Sequence, residues 1–494
     1  MAEVRDTSSV PVADSRAGLT AGAERSAGLK DLFSYPLMQA MQDRRTRRVA
    51  QGVSLDSADL SHKSANAPSP LNPVEEAILL AATGVTGAVM HDGPLIKPTG
   101  LPELGTPFLN SVGRAAGSAD NAQATSMFMI NDEGTWLIQR PRGQAGVDLM
   151  RDIPPRWEDR SGADWMAMAN AVKRKVYDER IDAPREWPYY LGWNAQHSNA
   201  PGTTIFLPVV DNTRQYINAI LILLSEPKGK APLFVDDFSP FRPRSFVEWG
   251  VWFAMQVGLV PYVPYQPIGG IKRIQEGYFS KDVPAPFGML ATARTDHEAF
   301  LLMQNLLLVG EGLRLGGWIH SAMLPPHIMK RDPANQIFGL GFREHGGKQP
   351  RWGRWPPVPA SQPNYVGIDG FLEGACPPYM SMNDAVDAVL EEKYEADHVY
   401  GNAKLFGRAY KDQSKADSFL RQASHFPEEA VAYGKEICNY VYDTYGRFPS
   451  NTDAFYLPGI WAQFSHLEIE YYDKMSQPWF YRRQAEGKKI WNRH

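Results

Sequence analysis

Between His297 and Gly317 the chain reads HEAFLLMQNLLLVGEGLRLGG. From Ala299 to Val309 almost every position is apolar, so no helical face there is left for water. An amphipathic surface helix carries an apolar stripe, whereas a helix that is apolar all round must be enclosed by other elements. This segment therefore predicts a central, buried helix, and the remaining elements have to supply its covering. The glycine-rich end at Gly316 and Gly317 leads into Trp318, Ile319 and His320.

The strands that could cover it are few. SMFMINDEGTWLIQRP predicts a hairpin, with Met127 to Ile130 and Thr135 to Gln139 flanking the turn Asn131-Asp132-Glu133-Gly134. TTIFLPVVD (Thr203 to Asp211) and IFGLGF (Ile337 to Phe342) are further strand candidates. Thr213 to Leu224 alternates and then runs apolar, which leaves helix and strand unseparated. Helices are predicted over Leu29 to Gln42, from Pro73 with Glu75 and Glu76 in its first turn, over 163 to 179, and over most of the chain after Ser381. Few strands among many helices indicate an α+β class with helices packed on one modest sheet. No internal repeat is present.

With 494 residues the chain exceeds one usual core. The sequence divides into a polar tail over residues 1 to 30, expected to be disordered, and a main domain over 31 to 375. That domain holds an insertion at about 150 to 290, and a mainly helical extension covers 376 to 494. The apolar window Phe246 to Tyr265 is broken by Glu248, Gln256 and Pro261, so a buried helix or a helix and strand is expected there rather than a membrane span. A net charge of -4 gives no global attraction for nucleic acid. The two cysteines, Cys376 and Cys438, support neither a disulfide framework nor a cysteine-based zinc site. Low cysteine use and the lack of an apolar leader suggest a cytoplasmic protein. His466 and Glu470, at i and i+4, can bind a cation, but a polar pair on an exposed helix is the expected reading. G-x-S-x-G, P-loop and G-x-G-x-x-G patterns are absent, and no metal site is assigned.

Three segments carry candidate chemistry. Arg44, Arg45, Thr46, Arg47 and Arg48 follow the first helix. Arginine forks suit phosphate, and a threonine hydroxyl adds a donor; a solvated helix end is the plain alternative. Ser118, Asn121 and Gln123 lie in GSADNAQ, a polar loop before a strand. The third segment is the end of the apolar helix, GLRLGGWIHSA, whose glycines allow close backbone approach.

The order of these segments resembles the nitroreductase family of FMN enzymes. That family has an R-R-[ST]-x-R turn after its first helix and a P-S-x-x-N-x-Q-P-W loop feeding a strand. A long apolar helix with a Q-N pair and a glycine-rich end follows. Here the counterparts are Arg44 to Arg48, then Ser118, Asn121 and Gln123, then Gln304 and Asn305 with Gly312 to Trp318. KQPR (Lys348 to Arg351) resembles the basic element after the family's last strand. Gly117, Ala124 and Thr125 depart from the loop pattern. The resemblance, over about residues 35 to 355, implies a nitroreductase-like fold with a central mixed or antiparallel sheet. It also implies a homodimer whose subunits share each non-covalent FMN, with NAD(P)H as a transient reductant and a small organic substrate. Arg44 and Arg351 would contact the phosphate, Arg45 and Thr46 the phosphate and ribityl chain, and Arg48 the pyrimidine edge. Arg47 occupies the family's variable position. Ser118, Asn121 and Gln123 form the family's loop, whose Ser118 and Asn121 would reach the partner's flavin. Gly316 and Gly317 make up the glycine-rich end, where Gly317 and Trp318 would lie against the ring. The resemblance names no catalytic acid. The same fold with dehalogenase or ring-oxidase chemistry, or a non-catalytic interaction protein on a degenerate version of it, are the alternatives.

Overall fold

The computed structural model describes residues 27–92, 106–151, 153–240, 243, 245–259, 265–267, 275–288, 292–348, 363–395, 398, 400–402, 404, 407–450 and 460–491. Helices and a sheet are mixed, as an α+β class requires. The predicted first helix is two: α1 (Ala27–Ser34) and α2 (Leu37–Asp43) are separated at Pro36, which cannot donate the helix hydrogen bond. Helix α3 (Pro73–Ala81) begins where the sequence indicates. Asn72 accepts from the N–H groups of Val74 and Glu75 at 3.0 and 2.9 Å, and Glu75 accepts the Asn72 N–H at 2.9 Å. Such reciprocal caps contribute about 1 kcal/mol.

The hairpin forms as expected, with β1 (Thr125–Asn131) and β2 (Gly134–Ile138). Helices α4 (Gly143–Arg151) and α5 (Gly162–Val172) follow. The helix expected over 163 to 179 stops at Val172, and Lys173–Tyr177 forms strand β3. Its sequence, KRKVY, is that of an edge strand, where lysines discourage further pairing; the Lys173 and Lys175 ammonium groups lie 4.7 and 5.1 Å from the Trp136 ring centroid. Strand β4 (Thr204–Val210) is followed by the ambiguous segment, which is helix α6 (Thr213–Leu224).

Helix α7 (Phe246–Gln256) falls in the apolar window, but it is not buried. Met255 alone among its residues is buried, and Phe246 is 93% exposed. Helix α8 (Thr292–Gly312) is the long apolar helix. One of its faces stays open, contrary to the sequence expectation: Phe300 and Leu301 are exposed, while Leu302, Met303, Leu306 and Leu307 are buried. Strand β5 (Gly316–His320) follows at once. IFGLGF supplies only the short strand Ile337–Phe338, paired with Arg331–Asp332 outside the main sheet. Its expected place is filled by β6 (Trp461–Ser465), from the segment predicted to be helical.

The six strands form one sheet in the order β5-β6-β4-β1-β2-β3, every neighbour antiparallel. Strand β1 alternates between two cores. Met127 and Met129 pack with Leu302, Leu306 and Phe464 under α8, while Phe128 and Ile130 pack with Tyr190, Met323 and Trp461 on the other face. Each fully buried large apolar side chain contributes about 1.5–3 kcal/mol. A third core joins Ile217, Ile220 and Leu224 of α6 to Val386 and Val389 of α9 (Met382–Tyr394) and to Ile437 and Val441 of α10 (Glu428–Tyr445). Residues on the two sides of position 376 thus share a core, and β6 carries the C-terminal segment into the main sheet. Among the described residues no helix is long and apolar enough to cross a membrane.

Candidate functional site

Arg44 ends α2 by donating its N–H to the Ala40 carbonyl at 3.1 Å, and its ψ of 126° sends the chain out extended. Successive side chains in extended backbone face opposite ways. Arg47 turns inward and is 3% exposed. Its Nη1 pairs with Glu311 Oε2 at 2.8 Å, its Nε donates to the Phe480 carbonyl at 2.6 Å, and its guanidinium lies 5.3 Å over the Phe480 ring. The position that the resemblance leaves variable is therefore a buried structural arginine. Burial raises the Glu311 carboxyl above its usual range, opposed mainly by Arg47.

Arg48 turns outward. Its N–H donates to the Tyr472 hydroxyl at 2.9 Å, and its guanidinium sits 5.6 Å over Trp318. Arg45 folds back onto the carbonyls of Gln42 and Arg44 at 2.6 and 2.8 Å, 6.0 Å over Trp479. Thr46 is exposed and Arg44 half-buried. Among the described residues neither Arg44 nor Arg48 is paired with a carboxylate.

Trp318 and His320, two residues apart on β5, share a face and stack at 3.7 Å with 17° between their planes. Trp461 Nε1 donates to His320 Nδ1 at 2.7 Å, and Gln463 Oε1 lies 3.2 Å from His320 Nε2. Gln463 also donates to the His197 carbonyl at 2.8 Å. Burial, reinforced by Arg48, lowers His197 to about 4 and His320 to about 3, so both imidazoles are neutral at pH 7. Arg48 and His320 thus both pack against the Trp318 indole. The two glycines before them are explained by packing. A Cβ at Gly316 would meet Leu467 and, at 3.1 Å, the Arg47 carbonyl oxygen; one at Gly317 would meet Phe464 at 2.9 Å.

The Ser118 loop lies elsewhere. Asp120, Asn121 and Gln123 have φ of 52°, 45° and 49°, left-handed conformations held by hydrogen bonds. Asn121 donates to the carbonyls of Asn110 and Val112 at 2.6 and 3.1 Å, and Gln123 donates to the Val112 carbonyl. Ser118 donates to Glu298 at 2.6 Å; Glu298 also pairs with Arg114 and accepts the Thr125 N–H at 3.0 Å. Glu298 holds the Ser118 loop and Glu311 holds the arginine turn. Both belong to α8, separated by roughly 20 Å along its axis. A single chain therefore does not bring Ser118, Asn121 and Gln123 to Arg44, Arg45, Thr46 and Arg48. Gly316, Gly317 and Trp318 do adjoin the arginine turn. Arg351 lies outside the described residues.

His466 and Glu470 are not a helical pair, since the helix there begins at Ile469. His466 is buried between Glu75 Oε2 at 3.0 Å and Ser69 Oγ at 2.9 Å. Sequence reasoning missed His197, Trp461 and Gln463, which reach the site from distant segments with no local signal. The arginine run and Trp318 were singled out by the sequence, but not the side chains that stand behind them.

The neutral His320 predicts acid sensitivity. Its folded pKa is below the ordinary 6.5, so its contribution is complete above pH 6.5 and is lost as pH falls toward 3. Between pH 6.5 and 4, the unfolding free energy of His320→Gln should fall less steeply than that of the parent. The difference should approach one proton, about 1.4 kcal/mol per pH unit. Urea titrations across that range check it, and equal slopes would contradict a neutral buried His320.

No protein-family model matches the chain, and no curated protein matches it.

Proposed function

We propose that this protein is an FMN-dependent oxidoreductase of nitroreductase type, passing electrons from NAD(P)H to a small organic substrate. One observation carries the reading. Of the arginines in the run, Arg47 is committed to a buried carboxylate, while Arg44 and Arg48 pair with no carboxylate among the described residues and Arg48 lies over the Trp318 ring that stacks on His320. Cations near each other in sequence that no carboxylate neutralises among the described residues suit an anionic ligand.

Donor chemistry supports the fit. Arg44 and Thr46 would hold the phosphate, with Arg45 beside them, and Arg48 would set a fixed positive charge near the ring. FMN, when bound, supplies hydride and electron chemistry that no side chain here provides. The protein's share is to anchor the anion, orient the ring and keep His197 and His320 neutral. The Ser118 loop would serve the site of a second copy, since its own is roughly 20 Å away. Exposed Leu37, Met38 and Met41 on α2, and exposed Phe300 and Leu301 on α8, against which α2 packs, supply apolar surface for such a dimer. Light scattering at low micromolar concentration should report about twice 55.2 kDa. A monomer that keeps its flavin would refute the shared site.

One observation favours a second reading, a non-catalytic protein of this architecture. Arg48 and His320 both pack against the Trp318 ring, so the indole is already engaged by the chain's own side chains. Anaerobic NADH and NADPH decide between the two readings. An oxidoreductase loses its flavin absorbance near 450 nm within seconds of adding one of them. Flavin that stays oxidised with both supports the non-catalytic reading.

A further inference from the structure

A groove with no part in the arginine site opens between α1, α3 and α5. It encloses about 410 Å³, within the size range of small-molecule pockets. Leu32, Ile78, Val85, Trp157 and Met168 make its walls apolar. A second recess, of about 30 Å³, adjoins it across Ala81, Val85 and Met168 and reaches Arg140.

The polar groups along this groove are unusual in kind. Arg160 is buried, lines the larger cavity and lies 5.0 Å over the Trp165 ring. Its Nε donates to the Pro154 carbonyl at 3.0 Å and its Nη1 to Met168 Sδ at 3.9 Å, while the Asp164 carboxylate acts on it only from beyond ion-pair distance. Trp165 is 6% exposed, and its Nε1 has no acceptor among the described residues. At the other end, Arg140 donates Nη1 to the Thr125 carbonyl at 2.7 Å, while its Nε and Nη2 are buried without partners. No aspartate or glutamate lines either cavity. Buried donors left unmade are costly, so a wall with two guanidinium groups that no carboxylate touches among the described residues, two unpaired Arg140 nitrogens and an unpaired indole N–H is matched to an acceptor from outside the chain. The charge sign selects an anion, and the apolar walls select a ligand with a hydrocarbon or aromatic body.

We propose that this groove binds an amphipathic organic acid, with its apolar body between α1, α3 and α5 and its carboxylate at the corner made by Arg160 and Trp165. The site is independent of flavin binding, because none of its lining residues belongs to the arginine turn or to β5.

Dodecanoate, dodecan-1-ol and dodecyltrimethylammonium are suitable probes, titrated calorimetrically into the full chain. Dodecanoate should bind at least tenfold tighter than the alcohol, and the cation should not bind. Arg160→Gln should weaken dodecanoate about ten- to a hundredfold and leave the alcohol unchanged. Trp165→Phe removes the N–H donor and part of the ring while keeping an apolar aromatic wall, and should cost severalfold. Ala81→Phe, which fills the passage between the two cavities, should abolish binding, and all three variants should keep the flavin content of the parent. Equal affinity for acid and alcohol, or a dodecanoate affinity indifferent to Arg160→Gln, would overturn the proposal. So would an Ala81→Phe variant that changes a dimer into a monomer, because the groove would then be a surface between copies.

Discussion

Glu298→Ala is expected to destabilise the fold by about 3–5 kcal/mol. Glu298 and Arg114 are almost fully enclosed, with side-chain exposures of 1% and 0%. Removing the carboxylate strands a buried guanidinium, which burial already pulls down to about 10. It also releases the Ser118 hydroxyl and the Thr125 N–H, so β1 and the left-handed loop before it lose their tie to α8. Replacing both partners by apolar groups, as in Arg114→Met with Glu298→Leu, should recover a large part of the loss, because the penalty belongs to the orphaned charge. Urea denaturation of the single and double variants measures this. A single variant within 1 kcal/mol of the parent would show that the pair does not organise this end of α8.

Arg44→Glu is expected to remove FMN. Losing one hydrogen bond to a charged group weakens binding roughly ten- to a hundredfold, and the reversed charge adds repulsion. Arg48→Ala should retain part of the flavin and lower its reduction potential, since a fixed positive charge near the ring is gone. The sequence suggests Arg47→Ala as a silent control, but its contact with Glu311 makes it a folding variant expected to lose several kcal/mol. Arg482, exposed and 3.9 Å from Glu486, is a sounder control, and Arg482→Ala should bind FMN like the parent. Flavin content after gel filtration reads all of these. A redox titration separates Arg48 from Arg44. Unchanged occupancy in both variants would reduce the arginine run to a helix end.

What was legible in the sequence was what local chemistry encodes. The Asn72 and Pro73 start of α3 and the Asn131 to Gly134 turn are short-range signals, and both formed. The β3 strand was hidden because an edge strand can be charged, and KRKVY has no apolar face to betray it. The β6 strand was hidden for the opposite reason. WAQFS is buried on both faces, so it shows no alternation, and its partners β4 and β5 lie far away in the chain. The same non-locality explains the site. Composition marks four arginines as a group, but only packing shows that Glu311 takes one of them, or that Trp461 and Gln463 stand behind His320. The exposure of α7 was invisible too, since apolar content reports the need for cover and not which molecule provides it.

The central claim, that the arginine turn holds FMN, is tested most directly by one spectrum. The purified chain is incubated with excess FMN, passed through gel filtration and scanned from 300 to 550 nm. Bound flavin is expected to give bands near 370 and 450 nm at about one FMN per chain, and Arg44→Glu treated in the same way should be colourless. A parent protein that emerges colourless, with its fold intact by circular dichroism, would contradict the assignment.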